Sequence, residues 1–227
     1  IKIGEGHDPL LRRPFSIHFY DKQEERLHIL YKIVGKGTAL LAGFPEGAAV
    51  SILGPLGRGF SLDELEENSV ALLVAGGVGF APLYYLACRL KEEGKPFRFF
   101  IGGRSREDII ARGKIAKITE LPAIFTTEDG SLGSKGLITE AIINYITESK
   151  DQQSFCHLFA CGPNPMLKAL STVVAEKEGL PLQISIESVM ACGIGACLGC
   201  VCSTPTGNGY KKACTDGPVF NAGEVNL

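Results

Sequence analysis

Five of the eight cysteines crowd into one stretch near the C-terminus: Cys192, Cys197, Cys200, Cys202 and Cys214. Four of them follow C-x4-C-x2-C with a distant fourth, the spacing that holds a [2Fe–2S] cluster. Three thiolates on one short loop must converge on two irons, and the loop must wrap closely enough for backbone N–H groups to reach the sulfurs. Gly193, Gly195 and Gly199 permit that approach and supply φ > 0 wherever the turn needs it. The expected ligands are therefore Cys192, Cys197, Cys200 and Cys214. Cys202 is one cysteine too many, and its position two residues after Cys200 suggests a strand side chain turned away from the cluster. A structural zinc site is the alternative, although zinc sites usually pair two short Cys knuckles far apart.

Two glycine loops could receive a nucleotide. Gly76-Gly77-Val78-Gly79-Phe80-Ala81-Pro82 lies between an apolar run and a helical pattern. Gly77, Val78, Gly79 and Pro82 could let phosphates approach the backbone at a helix N-terminus. The run stops short of the full dinucleotide fingerprint, so a plain tight turn stays open. Cys161-Gly162-Pro163 stands in the same relation to another strand and helix. Taken alone, Cys161 also reads as a small buried residue. Gly102-Gly103-Arg104-Ser105-Arg106 could touch a ribose or phosphate, or be a solvated basic turn.

Nearer the N-terminus, Arg13-Pro14-Phe15-Ser16 sets a forked cation and a hydroxyl at a strand start. Leu30-Tyr31-Lys32 and Gly37-Thr38 add an aromatic, a cation and a glycine–hydroxyl pair. Together they suit a flavin dinucleotide, although each alone is ordinary strand and turn chemistry. His7, His18, His28 and His157 are scattered and read as surface or core residues. No Ser/His/Asp set or paired carboxylates stand out.

The elements that must position these residues come in three blocks. Residues 1–66 carry short alternating runs, Phe15–Tyr20, Leu27–Val34 and Ala49–Leu53, punctuated by Gly and Pro, a β-barrel or sandwich pattern. The pattern changes near Asn68. Over 67–186, strands at 69–75, 97–102, 123–126, 155–160 and 183–186 alternate with helices at 81–93, 137–146 and 165–178, which predicts a parallel sheet with helices on both faces. From 187 to 227 regular patterning ends and glycine and cysteine dominate. The expected plan is a flavin barrel, an α/β nucleotide domain and a cluster subdomain.

Composition narrows the class. The 227 residues carry a formal net charge of −2, with 45% hydrophobic and 21% charged residues. Nothing electrostatic argues for nucleic acid or an anionic membrane. The longest apolar stretch, near Val70–Val74, falls far short of the ~18 residues of a membrane span. Clustered cysteines without a visible secretion signal suit a reducing compartment, so a cytoplasmic protein is expected. The chain opens at Ile1 in mid-pattern, as a fragment would.

Arg13-Pro14-Phe15-Ser16, the Gly-Gly-Val-Gly-x-Ala-Pro loop, Cys161-Gly162-Pro163 and the cysteine tail occur in this order in the ferredoxin–NADP reductase superfamily. The tail, running on through Cys214-Thr215-Asp216-Gly217-Pro218-Val219-Phe220, resembles the electron-transfer subunits of class 1B dihydroorotate dehydrogenases. The resemblance implies that Arg13, Pro14, Phe15 and Ser16 hold FAD, that Leu30, Tyr31 and Lys32 line the flavin, and that Gly37 and Thr38 meet its pyrophosphate. It assigns NAD(H) to Gly77–Pro82 and Cys161–Pro163. It also implies an FMN-containing dihydroorotate dehydrogenase catalytic subunit as partner in a heterotetramer; the exposed edge of the cluster loop, near Gly193–Ala196, is the expected docking face. Family members place one or two strands before the Arg-Pro motif, so the first barrel strands are expected to be missing here. The rival expectations are a subunit of a ferredoxin-linked transhydrogenase or a sulfhydrogenase, and a redox sensor without turnover. Oxygenase reductases carry a longer ferredoxin domain than this tail supplies.

Overall fold

In the computed structural model, the described residues are 1–4, 6–67, 69–110, 112–115, 117–119, 121–148, 156–176, 180–207 and 209–227. The apolar run after Ser69 becomes β3 (Val70–Gly76), the middle of a seven-stranded sheet. Its neighbours are β4 (Phe97–Gly103) on one side and β7 (Cys156–Cys161) on the other. Beyond them lie β5 (Ile124–Thr127), β6 (Ser134–Lys135) and β8 (Leu182–Ser185), all parallel. A strand buried on both faces must be apolar throughout, which is why β3 shows no alternation. Leu72 and Val74 pack beneath α4 (Ile138–Glu148) and α5 (Asn164–Ala175). Ala71, Leu73 and Ala75 pack beneath α2 (Phe80–Glu92) on the opposite face. Helices thus cover both faces, as the alternating pattern predicts, and the single turn α3 (Arg112–Ile115) lies between β4 and β5. The expected boundary at Asn68, strand start at Phe155 and helix end at Glu178 lie outside the described residues.

The first 66 residues depart further from expectation. The runs at 15–20 and 27–34 meet as a short antiparallel ladder, β1 (Phe19–Asp21) with β2 (Arg26–His28). The run at 49–53 meets the chain start only through an isolated Lys2–Ser51 bridge. Among the described residues these pairings do not close a barrel. Gly37 and Thr38, expected in a turn, lie in α1 (Lys36–Ala42). The Ala39-Leu40-Leu41-Ala42 run favours a helix, and the Thr38 hydroxyl accepts from the Val34 and Gly35 N–H groups that lead into it.

Regular structure continues past Glu187, contrary to the sequence reading. β9 (Val201–Ser203) pairs antiparallel with β10 (Tyr210–Lys212), and β11 (Val219–Asn221) adds an antiparallel edge to β8, with Phe220 opposite Ile184. Three-residue strands are too short for alternation to show in sequence. The main sheet therefore draws on both sides of residue 186. No helix among the described residues is long and apolar enough to cross a membrane.

His157 lies inside this sheet with 1% of its surface exposed, stacked on Phe159 at 4.5 Å. Neither ring nitrogen completes a hydrogen bond of ordinary geometry. Burial lowers its pKa from 6.5 to about 4, offset in part by the nearby Glu64 backbone. The unfolded chain takes up a proton below pH 6.5, whereas the fold resists until near pH 4. Stability therefore declines as pH falls through that window, by up to about 3 kcal/mol from this residue. Urea unfolding of His157→Leu at pH 7.5 and pH 5 should show a smaller acid loss than the parent. Equal losses would mean that His157 does not set the acid limit.

Candidate cofactor sites

The cysteine loop follows β8 and is built on left-handed turns. Gly193 and Gly195 hold φ of 75° and 79°, as the wrapping argument requires. Gly199 does not, and the third left-handed residue is Leu198 at 57°. No sequence signal marked Leu198, because a leucine gives no warning of φ > 0. The loop aims its amides at sulfur. Ile194 and Cys197 N–H donate to Cys192 Sγ at 3.5 and 3.4 Å, and Gly199 N–H donates to Cys197 Sγ at 3.4 Å. The Ile194 and Cys197 amides, Ile194 first, lower the Cys192 pKa to about 6.

The four expected ligands fall into two pairs. Cys192 and Cys197 are within hydrogen-bonding reach of each other near the surface. Cys200 and Cys214 form a second pair, each at most 2% exposed. Burial raises the Cys214 pKa, and the neighbouring Cys200 adds to the effect. Among the described residues no three His, Cys, Asp or Glu side chains gather as ligands of one ion. Two thiol pairs, with amides aimed at the outer one, fit two bridged irons better than one tetrahedral zinc. Cys202 packs against the core and makes a weak contact with the Cys200 carbonyl, outside the set of four.

The two glycine loops become one mouth. Parallel pairing sets Ala75 beside Cys161, Gly76 beside Gly102, and Cys161 beside Ser185, so the strand ends lie in a row. A Cβ on Gly79 would lie 2.1 Å from the Cys161 carbonyl oxygen, and one on Gly76 would lie 2.8 Å from Pro163 Cδ. The backbones thus touch where α/β sheets bind ligands, beyond the carboxyl ends of the strands. Gly77 and Val78 lie in the turn between β3 and α2, and Pro82 lies in the first turn of α2. Cys161 is buried, which pushes its thiol up to about 12 despite a hydrogen bond with Ser185. It is a neutral wall of the site and no nucleophile.

The flavin candidates converge as well. A Cβ on Gly37 would meet Arg13 Nε at 2.9 Å, so the guanidinium packs over the start of α1. The Phe15 and Tyr31 rings meet edge-on at 5.5 Å, which sets the Pro14–Ser16 stretch beside Leu30 and Lys32. His18 stacks on Tyr84 at 4.6 Å, and its Nδ1 lies 3.1 Å from the Ala81 carbonyl, tying this segment to the glycine-loop helix. Aromatic faces, a fixed cation and a glycine beneath it fit a flavin nucleotide.

Asp108 escaped the sequence reading. It accepts from Lys32 Nζ at 3.1 Å and from Arg104 Nε at 3.3 Å, joining the flavin segment to the loop after β4. The Lys32 hydrogen bond does most to lower its pKa. Lone acidic residues in a charged run give no such signal. Arg104 is thereby held by a carboxylate.

Comparison with known proteins agrees with this layout. Residues 187–226 match the model of the iron-sulfur cluster binding domain of dihydroorotate dehydrogenase B, and residues 73–172 match the oxidoreductase NAD-binding domain. The chain is 43% identical, over its whole length and 85% of the relative, to the dihydroorotate dehydrogenase B (NAD(+)) electron transfer subunit of Bacillus cereus strain B4264. The subunit of that name from Geobacillus thermodenitrificans is 44% identical over the whole chain and 84% of its own length. A solved structure of an NADH-dependent reduced ferredoxin-NADP oxidoreductase, described for flavin-based electron bifurcation, superposes with a TM-score of 0.81 at 32% identity, covering 95% of this chain and 74% of that one. The fold is thus that of the ferredoxin–NADP reductases, with a parallel-sheet nucleotide domain and an iron–sulfur domain. The chain belongs to the family of electron transfer subunits of NAD-dependent dihydroorotate dehydrogenase B.

Proposed function

We propose that this chain carries electrons between the FMN of a catalytic subunit and NAD(H), so that dihydroorotate is oxidised to orotate. The observation that carries the reading is one chain holding two thiol pairs, a glycine-loop mouth and a flavin-shaped segment that His18 ties to the glycine-loop helix. The balance is simple: each dihydroorotate gives up two electrons and two protons, and NAD⁺ takes two electrons and one proton. When bound, FAD exchanges electron pairs with NAD(H), and the [2Fe–2S] cluster passes electrons singly.

The chain's own residues supply the holding. Cys192, Cys197, Cys200 and Cys214 hold the cluster. Arg13, Pro14, Phe15, Ser16, Leu30, Tyr31, Gly37 and Thr38 hold FAD, and Lys32 also links this segment to Asp108. Gly77, Val78, Gly79, Pro82, Cys161, Gly162 and Pro163 receive the nicotinamide nucleotide. Arg104 meets Asp108 through Nε alone at an exposed position, and NADH as the nucleotide follows the NAD(+) named for the relatives. The working division is 1–66 for the flavin barrel, 67–186 for the nucleotide domain and 187–227 for the cluster. The partner is an FMN-containing catalytic subunit in a heterotetramer, and the cysteines gathered at 192–214 suit a reducing cytoplasm.

The docking edge is the outer side of the cluster loop, near Gly193–Ala196. Ile194 there is 63% exposed. Gly195 points inward, where a Cβ would meet Thr215 and Lys212. Ile194→Glu is therefore the clean probe. Copurification with the catalytic subunit, cofactor analysis and a dihydroorotate–NAD⁺ assay test the reading. The expected result is FAD, iron and orotate formation in the pair. Ile194→Glu should cut orotate formation on the order of tenfold while leaving NADH–dye reduction intact. A complex that reduces ferredoxin with NADH but forms no orotate would favour the likeness to the ferredoxin-NADP oxidoreductase instead.

A further inference from the structure

The stretch of chain between the flavin segment and the first sheet strand touches both limbs of the cluster loop. On the first limb, a Cβ on Gly193 would lie 2.9 Å from Leu56 Cδ1 and 3.7 Å from Leu53 Cδ2. On the second, Arg58 N–H donates to the Gly217 carbonyl at 2.5 Å, and Val219 N–H donates to the Arg58 carbonyl at 3.3 Å. The two backbones form a parallel bridge between Arg58 and Pro218. Gly57 makes this approach possible. It holds φ at +69°, and a Cβ there would lie 2.0 Å from the Gly217 oxygen. Four residues after Gly57, the Gln183 carboxamide reads the Ser61 backbone twice, accepting from its N–H and donating to its C=O, both at 2.9 Å. Gln183 is 5% exposed on β8, the strand that β11 flanks. Phe60 meets Phe159 edge-on between these anchors.

We propose that residues 53–61 are a strap that fixes the cluster loop relative to the flavin segment, with Gly57 and Gln183 as positioning residues for electron transfer. The proposal rests on the functional reading above. Transfer between two bound groups falls exponentially with their separation, and the protein's contribution is to set that separation. Flavin residues 13–38 precede the strap and cluster ligands 192–214 follow the sheet. The strap contacts both limbs of the cluster loop, and Ser51, two residues before it, is held to the flavin side by the Arg12 guanidinium, which donates to its carbonyl at 2.8 Å and its hydroxyl at 2.9 Å. A purely structural role is the competing account, since a buried carboxamide must be satisfied wherever it lies. The two accounts differ in what the variants slow.

Gly57→Ala and Gln183→Leu are to be examined in the cofactor-loaded complex by rapid mixing with NADH. Flavin bleaching, the paramagnetic signal of the reduced cluster and amide exchange at Arg58, Ser61 and Val219 would be followed. The expected result is flavin bleaching within about twofold of the parent, cluster reduction slowed on the order of tenfold, and faster exchange at Arg58 and Val219 in Gly57→Ala and at Ser61 in Gln183→Leu. Parent-like cluster reduction in variants retaining full iron and flavin overturns the strap alone, as does equal slowing of both steps. Gln183→Leu leaves the Gly57–Gly217 contact in place, so it decides the matter if Gly57→Ala does not fold. A parent complex in which NADH reduces neither group overturns the functional reading, and the strap's role with it.

Discussion

Cys200→Ser should strip the protein of its iron while leaving its flavin in place. Cys200 and Cys214 form the inner thiol pair, each at most 2% exposed, within a core that includes Ile184, Ile186 and Phe220. A serine there offers a poorer ligand to a soft thiolate-preferring metal and leaves a hydroxyl in an apolar pocket. Iron should fall from about two per chain towards none, since every ligand of a four-cysteine site is needed. NADH–dye reduction should persist within about twofold, because the glycine-loop mouth lies on other strands. Orotate formation should drop at least a hundredfold, the scale of losing a required transfer partner. Cys202→Ser is the internal control. Cys202 lies outside the two pairs, so that variant should keep its iron and colour. Equal loss of iron in both variants would show that the ligand set has been misassigned.

The cluster was the most legible part of the sequence because its geometry is written in spacing. Three thiolates of one loop and a distant fourth must reach two irons, and few other sites ask for C-x4-C-x2-C. The parallel sheet was nearly as plain, since a doubly covered strand such as Val70–Gly76 must be apolar at every position. Legibility failed where structure depends on contacts distant in sequence. Gln183 and Ser61 lie 122 residues apart, and nothing local to either says that they meet. Asp108 reads as one more charge in a solvated run until Lys32 arrives from 76 residues away. β11 is only three residues long and owes its existence to Phe220 finding the edge of β8. α1 was hidden by Gly37, a residue that argues for a turn unless the capping hydroxyl of Thr38 is considered with it. In each case local propensity was overruled by a partner that one stretch of sequence cannot reveal.

Gly79→Ala should raise the KM for NADH far more than Gly77→Ala, although Gly77 has the stranger backbone. Gly77 holds φ at +53°, yet a Cβ there would meet nothing within 4 Å. Alanine at Gly77 pays the left-handed penalty, on the order of 1–2 kcal/mol, but leaves the mouth its shape. Gly79 has an ordinary helical φ of −57°. Its difficulty is space: a Cβ would lie 2.1 Å from the Cys161 oxygen, 2.4 Å from the Cys161 carbonyl carbon and 2.8 Å from the Gly162 nitrogen. All three are backbone atoms of β7 and the loop after it, held by pairing to β3 and β8, and none can swing aside as a side chain would. Relief requires parting the two loops by about 1 Å, and overpacking of this kind costs about 1–3 kcal/mol. A nucleotide gripped by both loops loses its fit when they part. KM for NADH should then rise on the order of a hundredfold, with cluster content and visible spectrum preserved. Steady-state NADH–dye kinetics on the two variants provide the check. If Gly77→Ala proves the more damaging, the positive φ at Gly77 is what nucleotide binding needs, and the close approach of Gly79 to Cys161 serves only to pack the two loops together.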